Sequence, residues 1–292
     1  MVILKNDCSC CGSEDCKGED CKGEDCKDKA WESKRLEITV KEKRRKIILI
    51  ISLVLLLAGA GYLIFYFVNE GKNDDIYDEV QQYKEEKQPE VVVEEEEEPV
   101  VIPIDFASLK QVNPDIYAWI DIADTNVHYP IVQSATDDTY YLEHTIEGVK
   151  GYPGSIYTEM VNAKDFSDFN TLIYVHDMKD GSMFKHLHKF ADAEFFNTHD
   201  TIMIYTETAI KTYKVLAAVV YDDRHIMYTY DNDDVEARKA FIQSLYESKN
   251  FKNQYREGVE VDENSHLITL STCITGQPSK RFIVVAVEVV DS

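Results

Sequence analysis

Hydrophobic and polar positions fall into three regimes along this chain of 292 residues. Residues 1–46 are polar, Ile47–Val68 is apolar throughout, and the remainder interleaves short apolar runs with turn residues. From about Asp105 onward, strand-like runs cover 117–122, 127–132, 155–157, 171–175, 201–206 and 211–221. Two further runs, 266–272 and 282–290, are rich in Leu, Ile, Val and Thr and read as buried strands joined by a short loop punctuated by Gly276 and Pro278. Many short strands broken by Gly, Asn and Asp predict an all-β barrel or sandwich rather than alternating βα units. Helical spacing is confined to a few places. Residues 106–111 predict a short helix ending near Asn113-Pro114. Residues 234–247 predict another, with Val235, Phe241, Ile242 and Leu245 facing a core and Asp231 or Asp233 as its cap. A segment of nearly 190 residues is large enough to bury a core of its own.

The apolar stretch IILIISLVLLLAGAGYLIFYFV at 47–68 has 22 residues and no charge. At helical rise it reaches about 33 Å, enough for the ~30 Å hydrocarbon layer of a membrane, and too long for an ordinary core helix. Ala58-Gly59-Ala60 offers a signal-peptidase-like site, but the apolar run continues for eight residues beyond it. Lys41, Lys43, Arg44, Arg45 and Lys46 precede the span, and Glu70, Asp74 and Asp75 follow it. That asymmetry predicts a cytoplasmic N-terminus and an extracellular remainder. Residues 69–104 carry the run Glu94–Glu98 between Pro89 and Pro99 and read as an acidic stalk, with a helix over 75–87 compatible with the pattern.

Charge and cysteine usage sharpen the division. Residues 1–46 hold 12 Lys+Arg against 11 Asp+Glu, and residues from 69 onward hold 19 against 43. So acidic a surface argues against nucleic acid as a partner. Six cysteines, Cys8, Cys10, Cys11, Cys16, Cys21 and Cys26, lie in the tail, where KGEDC occurs twice after SEDC. In a reducing cytoplasm they imply no disulfide framework, and without CxxC pairs or histidines a disordered low-complexity tail is the first reading, with soft-metal or redox binding the other.

Cys273 is the single cysteine outside the tail. A lone cysteine at a strand end is usually a small buried hydrophobe, but an unpaired thiol outside the membrane is a candidate nucleophile. It then needs a base or a cation close by. Arg281, at the start of the next apolar run, supplies the cation. Of eight histidines, all on the far side of the span, His176 is favoured because it follows the 171–175 run directly and opens a Gly-containing loop. His128, His144, His199, His225 and His266 sit in polar or mixed contexts. His186-Leu187-His188 has a ligand-like look but no third ligand in view, and acids such as Asp231–Asp234 are solvated rather than calcium-binding on this reading. No cofactor or metal is expected.

These segments resemble a class B sortase. The resemblance rests on TLSTC at 269–273 with Arg281 following, and on NTLIYVHDMKDGSMF at 170–184. NPDIYAWIDI at 113–122, YPIVQ at 129–133, YYLEH at 140–144 and GSIY at 154–157 add to it. It covers most of 105–290. It implies a mainly β fold with accessory helices: a closed eight-stranded sortase-type barrel, an N-terminal helix and a helix inserted before the cysteine strand, preceded by one transmembrane helix. The implied layout is tail 1–46, span 47–68, stalk 69–104 and catalytic domain 105–292. The implied activity is a membrane-anchored cysteine transpeptidase of Gram-positive type. It would cleave an NPxTx- or LPxTG-like sorting motif of a secreted protein and pass the acyl group to an amine of peptidoglycan or a pilin. Matched residue by residue, Cys273 is the nucleophile, His176 the general acid or base and Arg281 the cation. Ser271 and Thr272, which precede the thiol, are candidate substrate contacts or, equally, residues that pack the strand. Asp177 and Ile274 depart from the family pattern, which often has Asn and a polar residue there. A cysteine peptidase using water, and an inactive binding module on the same barrel, are the alternatives.

Overall fold

The computed structural model describes residues 24–81, 83, 101–151, 153–176 and 183–289. Two units divide at Asn69 and Glu70. The first is part of helix α1 (Glu24–Gln81), whose residues 39–65 are long and apolar enough to cross a membrane and are not buried by protein. Helix begins at Glu24, inside the tail read as disordered; the tail cysteines before Cys26 lie outside the described residues.

The second unit is a barrel. Its strands are β1 (Ile116–Asp121), β2 (His128–Val132), β3 (Ile156–Thr158), β4 (Asn170–Tyr174), β5 (Thr201–Thr206), β6 (Ile210–Asp222), β7 (Gln254–Tyr255), β8 (Leu267–Ile274) and β9 (Gln277–Glu288). They pair in the order β5-β1-β2-β3-β4-β8-β9-β6, and β6 returns to β5, closing eight strands; β7 hangs on β6 at Ala217 and Ala218. Closure removes the exposed edges that a sheet of this length would otherwise present.

The long apolar runs of β6, β8 and β9 are explained by burial on both faces. Phe282, Val284 and Ala286 of β9 join Ile268 and Leu270 of β8 inside the barrel. The alternate residues, Ile283, Val285 and Val287, pack outward against Phe241 and Leu245 of helix α5 (Val235–Glu247). Helix α2 (Phe106–Val112) is capped by Asp105, which accepts from the Ser108 amide at 2.9 Å, and it ends at Asn113 as the sequence indicates. A 3₁₀ turn at Phe184–Ala191 and helix α3 (Ala193–Thr198) bury Leu187, Phe190 and Phe196.

Several boundaries differ from the sequence reading. Cys273 and Arg281 do not flank a loop: β8 runs on to Ile274 and β9 starts at Gln277, so both lie within strands of a tight hairpin. Gly276, at φ +78°, takes the left-handed turn position, and Pro278 lies on the strand beyond the point where β6 stops pairing. The cap of α5 is Asp234, which accepts from Glu236, rather than Asp231 or Asp233; the Asp231 carboxylate accepts from Asp233 instead. Val235 is exposed, not in the core. Val80 is buried, and the Asp105 amide donates to the Tyr83 carbonyl at 3.2 Å; the acidic run Glu94–Glu98 of the expected stalk lies outside the described residues.

Because α5 is held by its apolar contacts with the outer sheet face, Phe241→Ala is expected to cost about 3–5 kcal/mol and Val235→Ala less than about 0.5 kcal/mol. Urea unfolding followed by near-ultraviolet circular dichroism measures both; equal costs would contradict this packing.

Candidate active site

Two parallel strands set the site. β4 and β8 pair from Asn170↔Leu267 to Tyr174↔Ser271. The ladder is extended when the Val175 amide donates to the Ser271 carbonyl at 3.4 Å and the Thr272 hydroxyl donates to the Val175 carbonyl at 3.2 Å. His176 therefore stands two residues past Tyr174, and Cys273 two residues past Ser271, at the same end of strands about 4.8 Å apart. On the other side of β8, Cys273 is the register partner of Arg281. Sequence-distant His176, Cys273 and Arg281 thus follow one another across three adjacent strands.

Alternation fixes the face. Leu270 and Thr272 point into the barrel, so Ser271 and Cys273 point out. The Cys273 thiol is free and exposed. Thr272 is buried and its hydroxyl donates to the Val175 carbonyl, which ties β8 to β4. Ser271 keeps the outward position.

His176 is held by a carbonyl. Its Nε2 lies 2.8 Å from the Leu142 oxygen, and since a carbonyl can only accept, that nitrogen carries a proton. Leu142 is placed in turn by Gly154, which has φ +73°; a Cβ there would stand 2.6 Å from the Leu142 oxygen. The two histidines with a ligand-like look are engaged separately. His186 Nδ1 accepts from the Asn126 amide at 3.1 Å, and the His188 ring packs on Phe282 with centroids 5.0 Å apart.

The sortase domain family model matches residues 120–289. This chain belongs to the sortase family. Sortase B of Listeria monocytogenes is 36% identical over 173 residues, 59% of this chain and 68% of that protein. Among solved structures, sortase B of Bacillus anthracis in complex with AAEK1 is 29% identical, with a TM-score of 0.63, covering 77% of this chain and all of that one. A class B sortase of Streptococcus pyogenes involved in pilus biogenesis is 27% identical, with a TM-score of 0.56, covering 63% of this chain and 97% of that one. The chain is a class B sortase, and hence a cysteine transpeptidase acting on sorting-motif proteins and amine acceptors.

In this sortase the outer sheet face is only partly covered. Helix α5 packs over Ile283, Val285 and Phe169, and what it leaves bare is a cleft of about 140 Å³. Tyr174, Ser271 and Arg281 form its strand side, and Asp222–Ile226 its opposite wall. The Tyr174 ring stacks on Tyr157 of β3 with centroids 5.5 Å apart. Burial pushes both phenols up, with Glu159 adding to each; the Cys273 sulfur raises Tyr157 further, while the Arg281 guanidinium pulls Tyr174 back down. The tyrosine pair stays neutral throughout the physiological range. Arg224 grips Asp222 through Nε and Nη2 at 2.7 and 2.6 Å and holds that carboxyl below its usual range, so the wall keeps its negative charge. Arg281 Nη1 donates to the Pro278 and Lys280 carbonyls at 2.9 and 3.0 Å.

Tyr157, Tyr174, Glu159 and His225 are not marked by the sequence. The pairing of β3 with β4 brings the first three together, His225 reaches them from the segment that leaves β6, and no local spacing signals it.

Gly154→Ala is expected to displace the Leu142 carbonyl and with it His176. Turnover of a sorting-motif peptide should fall by about 10- to 100-fold, while circular dichroism still reports a folded barrel. Unchanged turnover would show that this glycine does not support the imidazole.

Proposed function

We propose that Cys273 is the nucleophile, His176 the general acid and base, and Arg281 the cation that holds the reacting carbonyl. The observation that supports it is the register: two parallel strand ends and one antiparallel partner bring these residue types to the uncovered end of one sheet face. The sorting peptide lies extended in the cleft beneath Arg281. The Cys273 thiolate attacks the scissile carbonyl, the C–N bond breaks, and the His176 imidazolium gives a proton to the departing amine. The thioester is then attacked by the acceptor amine, whose proton returns to His176 as the thiolate leaves. Arg281 brings a planar fork of donors. It must turn from the Pro278 and Lys280 carbonyls toward the peptide, a short rotation for a half-buried side chain at the strand end.

The acceptor is an amine of the cell wall. A pilin lysine is the second reading, favoured by the resemblance to the Streptococcus pyogenes enzyme involved in pilus biogenesis. The apolar helix anchors the enzyme in the membrane, and the basic cluster Lys41–Lys46 ahead of it supports a cytoplasmic tail and an extracellular barrel.

Incubating the enzyme with NPxTx- and LPxTG-like peptides, with and without a cross-bridge amine, and analysing by mass spectrometry tests the assignment. An acyl adduct on Cys273 that is lost in Cys273→Ala, and a product that carries the amine, are expected. Product formed only with water would favour a peptidase, and no adduct would favour a binding module. Arg281→Lys retains charge but loses the planar fork, and should lower kcat by about 10- to 100-fold. Full activity in that variant would remove Arg281 from the chemistry.

A further inference from the structure

The wall of the cleft facing the strands is the segment that leaves β6, Asp222–Tyr230, with the short helix α4 (Ile226–Thr229) inside it. Ile226 and Met227 bury apolar surface under it, which holds the segment down but fixes no direction. A directional tie comes from one pair. His225 Nε2 donates to Glu159 Oε1 at 2.9 Å, and joins the start of α4 to the end of β3. The Tyr174 hydroxyl lies 3.4 Å from the same nitrogen, and the Tyr228 ring stacks on the imidazole with centroids 4.1 Å apart. One side chain therefore touches β3, β4 and the wall at once.

The pair is an odd choice for stability alone. Glu159 is almost fully buried, and burial raises its pKa against the pull of His225. Its Oε2 and the His225 Nδ1 find no hydrogen-bonding partner among the described residues. Apolar side chains of similar volume would fill the same space without that desolvation, and such exchanges are often neutral or stabilising. What apolar packing would not supply is a fixed separation between α4 and the β3–β4 edge.

We propose that Glu159 and His225 are positioning residues for the transpeptidation. Their hydrogen bond sets the width of the slot between the Asp222–Ile226 wall and Tyr174, in which the sorting peptide lies. This rests on the reading that Cys273 attacks a peptide bound in that cleft. Neither residue touches the reacting atoms. Their contribution is to order the wall before substrate arrives, so that binding need not supply the ordering entropy. Breaking the tie should therefore weaken binding and leave the chemical step largely intact.

The test compares kcat and KM for the best-cleaved sorting peptide in the full chain, with the rate of Cys273 alkylation by iodoacetamide as a control on the thiol. His225→Ala and Glu159→Ala are each expected to raise KM about tenfold, with kcat within about threefold and alkylation unchanged. Glu159→Gln, whose amide oxygen still accepts from Nε2, should stay within about threefold of the wild-type KM, which a fold merely destabilised by loss of the charge would not do. The double Ala variant should be no worse than either single one, because both remove the same bond. An unmoved KM in the Ala variants, additive losses, or a Glu159→Gln as impaired as Glu159→Ala would each overturn the proposal. A wild-type chain that forms no Cys273 adduct would overturn the catalytic reading beneath it, whereas an active chain with unmoved KM overturns only the positioning role.

Discussion

The pairing of β4 with β8 is the constraint on which the site depends. Parallel strands end on the same side, so residues that follow them emerge together however far apart they lie in sequence. Here the intervening chain holds β5, β6, β7 and helices α3 to α5, and still the step from Tyr174 to His176 matches the step from Ser271 to Cys273. A slip of one residue in that ladder would turn Cys273 into the barrel and bring Thr272 out. The two bonds at the end of the ladder, Val175 to Ser271 and Thr272 to Val175, oppose such a slip. Barrel closure opposes it further, because β8 is also locked to β9 along its length.

The same sheet carries two jobs on one face. Where α5 covers it, Leu172, Ile283 and Val285 are apolar and the contacts stabilise the fold. Beyond the helix the residues become Tyr174, Ser271, Cys273 and Arg281, polar groups on rigid strands at an open end. Side chains on such a support lose little orientation between encounters with substrate, as the proposed nucleophile requires. The neighbouring loops add fine control through single contacts: Gly154 lets the Leu142 carbonyl approach, and that carbonyl holds His176 through Nε2. In the proposed reaction a thioester is first held and then released to an amine, and an imidazole of fixed orientation would serve both halves.

The strands were largely legible because period and composition mark them; the 201–206 run matches β5 as it stands. The hairpin at Cys273 was misjudged because Gly276 and Pro278 look like loop residues, while the strand ladder simply continues around them to Ile274 and Gln277. Strand β7, two residues long, has no pattern to read. Cys273, His176 and Arg281 stood out through a lone thiol, a histidine after an apolar run and the family motif. Glu159 and His225 did not, since a carboxylate and an imidazole separated by 66 positions acquire meaning only through tertiary contact. The inward turn of Thr272 was likewise invisible until the alternation along β8 had a known phase.

The central claim is that one strand register delivers thiol, imidazole and guanidinium to a common peptide slot. A crystal structure of the enzyme alkylated at Cys273 by a peptidyl chloromethyl ketone carrying the preferred sorting motif tests it most directly. The account requires the peptide to run beneath Arg281 along Tyr174 and Ser271, with the His176 imidazole beside the sulfur and its Nε2 still on the Leu142 carbonyl. A peptide leaving Cys273 on the far side of the β8–β9 hairpin, with His176 and Arg281 both turned away from it, would contradict the account.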